Sequence, residues 1–221
     1  MTTDPGSTSS YIDAEGIWCE VLHRGSARAR PCLFLDRDGV IVEEVNYLHR
    51  PEDCRLERGA AAIIRKANEA DIRVVVVTNQ AGIARGYFGW EDFRAVQDCM
   101  VGLLAAEGAR LDAVFACPHH AKGRPPFGHP DHPARKPNPG MLTRAFARLA
   151  ILAGQSWIIG DRASDLGAGR NAGLAGGVHV GSGHGGDDGE RQKALALAEP
   201  GFQVLARASI AEADGLDLFR R

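Results

Sequence analysis

The sequence predicts an α/β fold whose central sheet is mainly parallel, and three observations carry that expectation. From Pro31 onward, short apolar runs rich in Val, Ile, Leu and Phe alternate with longer stretches of helical periodicity, the pattern of a parallel sheet buried between helices. The runs are apolar at consecutive positions, as suits strands covered on both faces. A chain of 221 residues, 44% of them hydrophobic, buries roughly 70% of its unfolded surface, enough for one substantial core without disulfide staples.

Taken in order, the chain opens on MTTDPGSTSS, which lacks the basic start and apolar centre of a secretory signal. Residues 1–14 are expected to form a disordered lead. Residues 15–30, with Trp18 and a basic stretch, are expected to form an N-terminal extension docked on the surface of a main domain that spans 31–221. Strands are expected at 32–35, 74–78, 113–116, 157–160, 177–180 and 203–205. Helices are expected at 60–70, 90–107, 141–150, 166–172, 190–198 and 210–218, most with Gly, Pro or Asn near an end. Two segments interrupt the alternation: 117–138, with six prolines and four histidines, and the glycine-rich 181–189. Long connections without secondary structure tend to be functional or held by something.

Composition narrows the function classes. Lys and Arg number 26 against 28 Asp and Glu, a net charge of −2, which argues against nucleic-acid binding through a broad basic field. The longest apolar runs, such as 74–77, fall far short of the ~20 residues that span a bilayer, so no membrane partner is expected. Five scattered cysteines (Cys19, Cys32, Cys54, Cys99 and Cys117) without a C-x-x-C pair fit a reducing, cytoplasmic compartment.

In open parallel sheets, ligands sit beyond the carboxyl ends of the strands. Asp36-Arg37-Asp38-Gly39-Val40 follows the first run, Thr78 and Asn79 the second, and Asp161 and Asp165 the fourth, while Arg135-Lys136-Pro137 closes the long loop after the third. If extended geometry persists, Asp36 and Asp38 point to the same side. Two carboxylates so close need a cation between them or a shared proton. With Asp161 they make a set of hard oxygen ligands suited to Mg²⁺. Alone, Asp-x-Asp-Gly also reads as a surface turn. Lys136 and Thr78, a cation and a hydroxyl beside the acidic set, point instead to a bound anion, most simply phosphate. Asn138 and Pro139 read as the N-cap and first residue of the next helix, whose N-terminus would face the same pocket. No G-x-G-x-x-G follows the first strand, and no Walker A loop occurs in the chain.

These residues, in this order and at strand ends, resemble the haloacid dehalogenase (HAD) superfamily of phosphatases. More narrowly, residues 36–40, 78–88 (TNQAGIARGYF), 117–120 (CPHH) and 135–142 (RKPNPGML) resemble its branch of heptose-bisphosphate and histidinol phosphatases, over roughly residues 31 to 180. The resemblance implies a HAD-like Rossmannoid three-layer sandwich. No separate cap domain is expected, because the stretch after Asp38 and the 117–138 loop are each too short for one. It implies a Mg²⁺-dependent phosphatase in which Asp36 attacks phosphorus and becomes an aspartyl phosphate. Asp38 then serves as the acid for the leaving alcohol and the base for water, and Mg²⁺ is held by Asp36, the backbone carbonyl of Asp38 and Asp161. Thr78, the Asn79 backbone and Lys136 hold the phosphoryl oxygens, and Arg135 meets a second phosphate or a sugar hydroxyl. Asp165 ligates the metal, orients Lys136 or caps the next helix. The expected partner is a small phosphorylated metabolite, a heptose bisphosphate first and histidinol phosphate second. A non-catalytic phosphometabolite binder is the reading from another class, and an intact Asp36 and Asp38 argue against it.

In the resembled branch the 117–138 loop carries zinc on a Cys-x-His and a later Cys-x-Cys. Here Cys117 and His119 keep the first half, while His132 and Ala134 stand at the later cysteine positions. His129 and His132 as replacements make a set of Cys117, His119, His129 and His132, acceptable ligand types for a structural Zn²⁺. The other reading is a proline-stiffened loop whose histidines face solvent or substrate, and His120 is spare in either.

Overall fold

Side chains of a strand alternate between its two faces, so a run of consecutive apolar residues builds a core on each side of a sheet. The computed structural model, which describes residues 8–25 and 27–219, has seven strands: β1 (Trp18–Val21), β2 (Cys32–Leu35), β3 (Arg73–Asn79), β4 (Ala113–Cys117), β5 (Trp157–Gly160), β6 (Gly176–Val180) and β7 (Gln203–Arg207). They lie in the order β1-β4-β3-β2-β5-β6-β7. All neighbouring pairs are parallel except β1 with β4. The helices are α1 (Ala60–Glu69), α2 (Ala81–Arg85), α3 (Trp90–Ala106), α4 (Gly140–Arg148), α5 (Ala163–Asn171) and α6 (Glu190–Leu195).

Leu33, Leu35, Val74 and Val76 pack on one face against Ile63 and Ile64 of α1 and Phe93 and Met100 of α3. Phe34, Val75, Val77 and Phe115 pack on the other against Met141 and Leu142 of α4 and Leu166 of α5. The result is the expected three-layer sandwich. From β2 the chain adds strands first on one side (β3, β4) and later on the other (β5 to β7). The carboxyl end of β2 is therefore the topological switch point, where such sheets open a crevice. Residues 36–59 form loops with one 3₁₀ turn (Pro51–Asp53), and 117–138 contributes no helix, so no cap domain covers that crevice. Among the described residues, no helix is long and apolar enough to cross a membrane.

Four expectations need correction. Of the 1–14 lead, residues 1–7 lie outside the described residues, but Thr8–Tyr11 form a 3₁₀ turn with Thr8 buried. The 15–30 extension is not a separate appendage, since it supplies β1, an edge strand of the sheet. Trp18 is fully buried among Tyr11, Trp90 and Phe93, with ring centroids 4.9, 5.5 and 5.2 Å away. The helix expected at 210–218 is two 3₁₀ turns, Ile210–Gly215 and Asp217–Phe219, the first ending on Gly215, a poor α-helix former in what would be the second turn. Asn138 is not an N-cap. Helix α4 starts at Gly140, and the Asn138 amide instead donates to Asp131 Oδ1 (2.6 Å) and the His132 carbonyl (3.1 Å).

Candidate active site

The end of β2 places Asp36 at the switch point. Its backbone N–H still donates to the Ile159 carbonyl at 3.0 Å, so the strand geometry carries the carboxylate to the rim of the sheet. Lys136 reaches it from the far end of the 117–138 loop. Its ammonium lies 3.0 Å from Asp36 Oδ1 and 2.7 Å from Asp165 Oδ1, and it donates to the Val77 carbonyl at 2.7 Å. All three of its donors are therefore used, although the side chain is only 1% exposed. Burial opposes the charge on Lys136, but Asp165 and Asp36 outweigh it and hold the pKa above its ordinary value.

On the β5 side, Asp161 Oδ2 accepts the backbone N–H of His184 at 2.7 Å. Burial, then the neighbouring Asp36 and Asp165, push the Asp161 carboxyl up to about 8. Burial also raises Asp165, to about 6, against the pull of Lys136. Asp165 Oδ2 accepts the Arg162 N–H at 2.8 Å, so this residue both orients Lys136 and caps α5. Asp36, Asp161 and Asp165 each offer an oxygen within 4.8 Å of the others. Three buried carboxylates against one ammonium leave a deficit of positive charge, and the elevated Asp161 pKa is its symptom. Hard oxygen donors in such a deficit fit a divalent cation such as Mg²⁺. The loops close tightly here: a Cβ on Gly39 (φ +77°) would stand 2.8 Å from Asp161 Oδ2 and 2.8 Å from the Gly183 Cα.

The Asp38 carboxylate is not part of this trio. It accepts from Arg37 and, at Oδ2, from Gln80 Nε2 at 2.9 Å. The second Gln80 N–H donates to Thr78 Oγ1, also at 2.9 Å, which leaves the Thr78 hydroxyl proton for an acceptor in the cleft. The Asn79 side chain exchanges hydrogen bonds with the Lys136 backbone, 3.1 and 3.2 Å, and so pins the loop that delivers the lysine. Arg135 donates to the His119 carbonyl at 2.9 Å and lines a cleft of about 470 Å³ with Arg85, Arg162, Tyr47, Glu44 and His184. Burial, with Arg85 and Arg162 nearby, lowers the Arg135 pKa. Sequence reading missed Gln80, Arg85, Arg162 and His184. The first two lie inside TNQAGIARGYF and the third directly follows Asp161, so adjacency to a motif was the available signal.

The set proposed for zinc does not assemble. Among the described residues, the only His, Cys, Asp or Glu group whose ligand atoms converge is the aspartate trio. His119, His129 and His132 do cluster, but the His119 and His132 rings lie parallel with centroids 3.8 Å apart, stacked rather than aimed at a common point. One ring nitrogen of each is engaged locally: His120, His129 and His132 each accept at Nδ1 the amide two residues on, from Lys122 (2.9 Å), Asp131 (3.1 Å) and Ala134 (3.1 Å), while His119 Nδ1 is buried with no hydrogen-bond partner. His119 Nε2 pairs with the Glu15 carbonyl at 2.8 Å. Cys117 packs with Ala134 and Met141, and burial pushes its thiol up to about 11.

Comparison with known proteins matches this geometry to a family. The HAD-hydrolase-like family model matches residues 133–206. The D-glycero-beta-D-manno-heptose-1,7-bisphosphate 7-phosphatase of Mesorhizobium japonicum is 44% identical over 202 residues, covering 91% of this chain and 88% of its own. Among solved structures, one described as a HAD-like phosphatase from Mesorhizobium loti superposes with a TM-score of 0.80 at 40% identity, covering 95% of this chain and 94% of its own. The D,D-heptose 1,7-bisphosphate phosphatase of B. bronchiseptica, solved with magnesium and phosphate, gives 0.69 at 30% identity over 83% of this chain and 95% of its own. Likeness of that extent, in sequence and in fold together, makes this chain a phosphatase of the HAD-like hydrolase family.

Proposed function

We propose that the protein removes the 7-phosphate of D-glycero-D-manno-heptose 1,7-bisphosphate through an aspartyl-phosphate intermediate. The observation that carries this reading is the contact of Asp36 with the buried Lys136 at the floor of a cleft whose walls hold Arg85, Arg135 and Arg162. One phosphate is bound at the floor for chemistry, and the guanidinium groups suit a second anionic group on the same small molecule. Histidinol phosphate carries an ammonium instead, which three arginines disfavour.

Asp36 attacks phosphorus in line with the leaving oxygen, while Asp38 delivers its proton to that oxygen as the P–O bond breaks. The Thr78 hydroxyl and the Asn79 backbone N–H hold two phosphoryl oxygens as charge spreads over them, and Lys136 gives the third oxygen the N–H that it donates to Asp36 in the substrate-free protein. Asp38, now a carboxylate, then takes a proton from the water that attacks the aspartyl phosphate, which frees phosphate and restores Asp36. Asp36, Asp161 and the Asp38 backbone carbonyl are the groups that would hold Mg²⁺, which when bound offsets the repulsion between carboxylate and phosphate.

The test is phosphate release with Mg²⁺ from both anomers of the heptose bisphosphate, from histidinol phosphate and from a nucleoside monophosphate. The heptose bisphosphates are expected to turn over fastest. The β anomer should lead, as in the name of the M. japonicum relative. Asp36→Asn should fall to background while keeping its circular dichroism spectrum. Full activity in that variant, or a preference for histidinol phosphate, would overturn the reading.

A further inference from the structure

Arg37, the middle residue of Asp36-Arg37-Asp38, has no role in the chemistry described above, yet its side chain is only 1% exposed. Its guanidinium grips the neighbouring Asp38 as a fork, Nε to Oδ1 and Nη2 to Oδ2, both 3.1 Å. It lies over the Phe93 ring, 5.3 Å from the centroid, and Nη1 is buried with no hydrogen-bond partner. The Arg37 carbonyl in turn accepts the amides of Ile41 (2.9 Å) and Val42 (3.0 Å), so the backbone from which the fork springs is fixed. Taking a guanidinium out of water is costly, and an apolar residue against Phe93 would fill the same space. What an apolar residue lacks is a hold on Asp38, whose side chain is 19% exposed and faces the cleft.

Proton delivery depends on placing the acid within hydrogen-bond reach of the leaving oxygen, and a free aspartate has three staggered χ1 wells to choose from. We propose that Arg37 is a positioning residue: clamped between Phe93 and the turn at Ile41, it holds the Asp38 carboxyl in the one orientation that hands a proton to the leaving oxygen. Gln80 Nε2 adds a second donor to Asp38 Oδ2, the oxygen that also accepts Arg37 Nη2. The inference rests on the proposed function, in which Asp38 protonates the leaving group while the Asp36–phosphorus bond forms and the ester P–O bond breaks.

The experiment compares two leaving groups in Arg37→Lys and Arg37→Met. A sugar alkoxide needs the proton, whereas p-nitrophenolate leaves without it. Lysine keeps the charge but cannot form the fork, so both variants are expected to lose roughly 100-fold in kcat on the sugar phosphate, with KM little changed. The rapid-quench burst of p-nitrophenolate from p-nitrophenyl phosphate should stay within about threefold of the unaltered protein, since that step bypasses the acid. The ratio of the two rates does not depend on how much of a preparation is folded. If neither Arg37 variant folds, Phe93→Leu, which removes the guanidinium's shelf, should shift the ratio in the same direction. Equal losses on both substrates, or none on either, would refute the positioning role. Inversion of configuration at phosphorus in the unaltered protein, in place of the retention that two successive displacements give, would instead bring down the aspartyl-phosphate reading and this role with it.

Discussion

Two regions of this molecule carry dense sets of metal-ligand residues, and only one of them brings its donors together. Asp36 lies 125 residues before Asp161 and its near neighbour Asp165, yet the three offer oxygens within 4.8 Å of one another. Cys117, His119, His129 and His132 fall within one loop and do not converge. The difference lies in what holds each residue. The aspartates stand at or just beyond the ends of parallel strands whose register is locked, Leu35 opposite Val76 on one side and Ile159 on the other, so neighbouring strand ends must meet. In the loop, His129 and His132 answer to their own backbone, each ring accepting the amide two residues on. Closeness in sequence lets a side chain satisfy its local turn before it finds a distant partner.

The largest effect expected on this contrast comes from Lys136→Met. It leaves Asp36 and Asp165 without their shared cation, so turnover should drop roughly 100- to 1,000-fold and urea midpoints should report a loss of about 3 kcal/mol. A variant as stable as the parent would show that the strand-end charges are solvated after all.

The next effect is the pH dependence of the metal-free protein. The Asp161 pKa is raised from the usual carboxylate value to about 8 on folding, so between about pH 4 and 8 the folded state binds more protons than the unfolded one. Stability from this group is present at low pH and is lost as pH rises through that window. Melting temperature in chelator should therefore decline from pH 6 to pH 8, and the gain on adding Mg²⁺ should be larger at pH 8, where the ion competes with fewer protons. A Mg²⁺ gain that shrinks with rising pH would contradict the placement of the cation at Asp161.

The smallest effect belongs to the loop. His129→Ala removes one ring-to-amide hydrogen bond, at about 1 kcal/mol, and should leave kcat within about threefold. Limited proteolysis of 117–138 should be unchanged by a zinc chelator. Faster cleavage on chelation would restore the zinc reading.

Much of this was legible beforehand. Five of the six apolar runs from residue 32 onward became buried strands because burial on both faces leaves a local mark, the sixth became the partly exposed edge strand β7, and Asp36, Thr78 and Asp161 stood where strands end. β1 was not legible: its four residues, WCEV, include Glu20, and their strand character depends on pairing with β4 and on the aromatic pocket around Trp18. α2, with five residues, is too short to show periodicity and is stable only as packed. The roles of Asn79 and Asp165 were half visible, because a hydrogen bond to Lys136, 57 or 29 positions away, leaves no trace in composition.

The sequence by itself determined most element types from residue 32 onward and pointed to the candidate reacting groups, since period, strand-end position and residue chemistry are local properties. Tertiary structure alone decided which donors share a site: that Lys136 is spent on two carboxylates, that Arg37 is buried to hold Asp38, and that the loop histidines stack without converging. Convergence of side chains is set by strand register and loop closure, and those are outcomes of packing the whole chain.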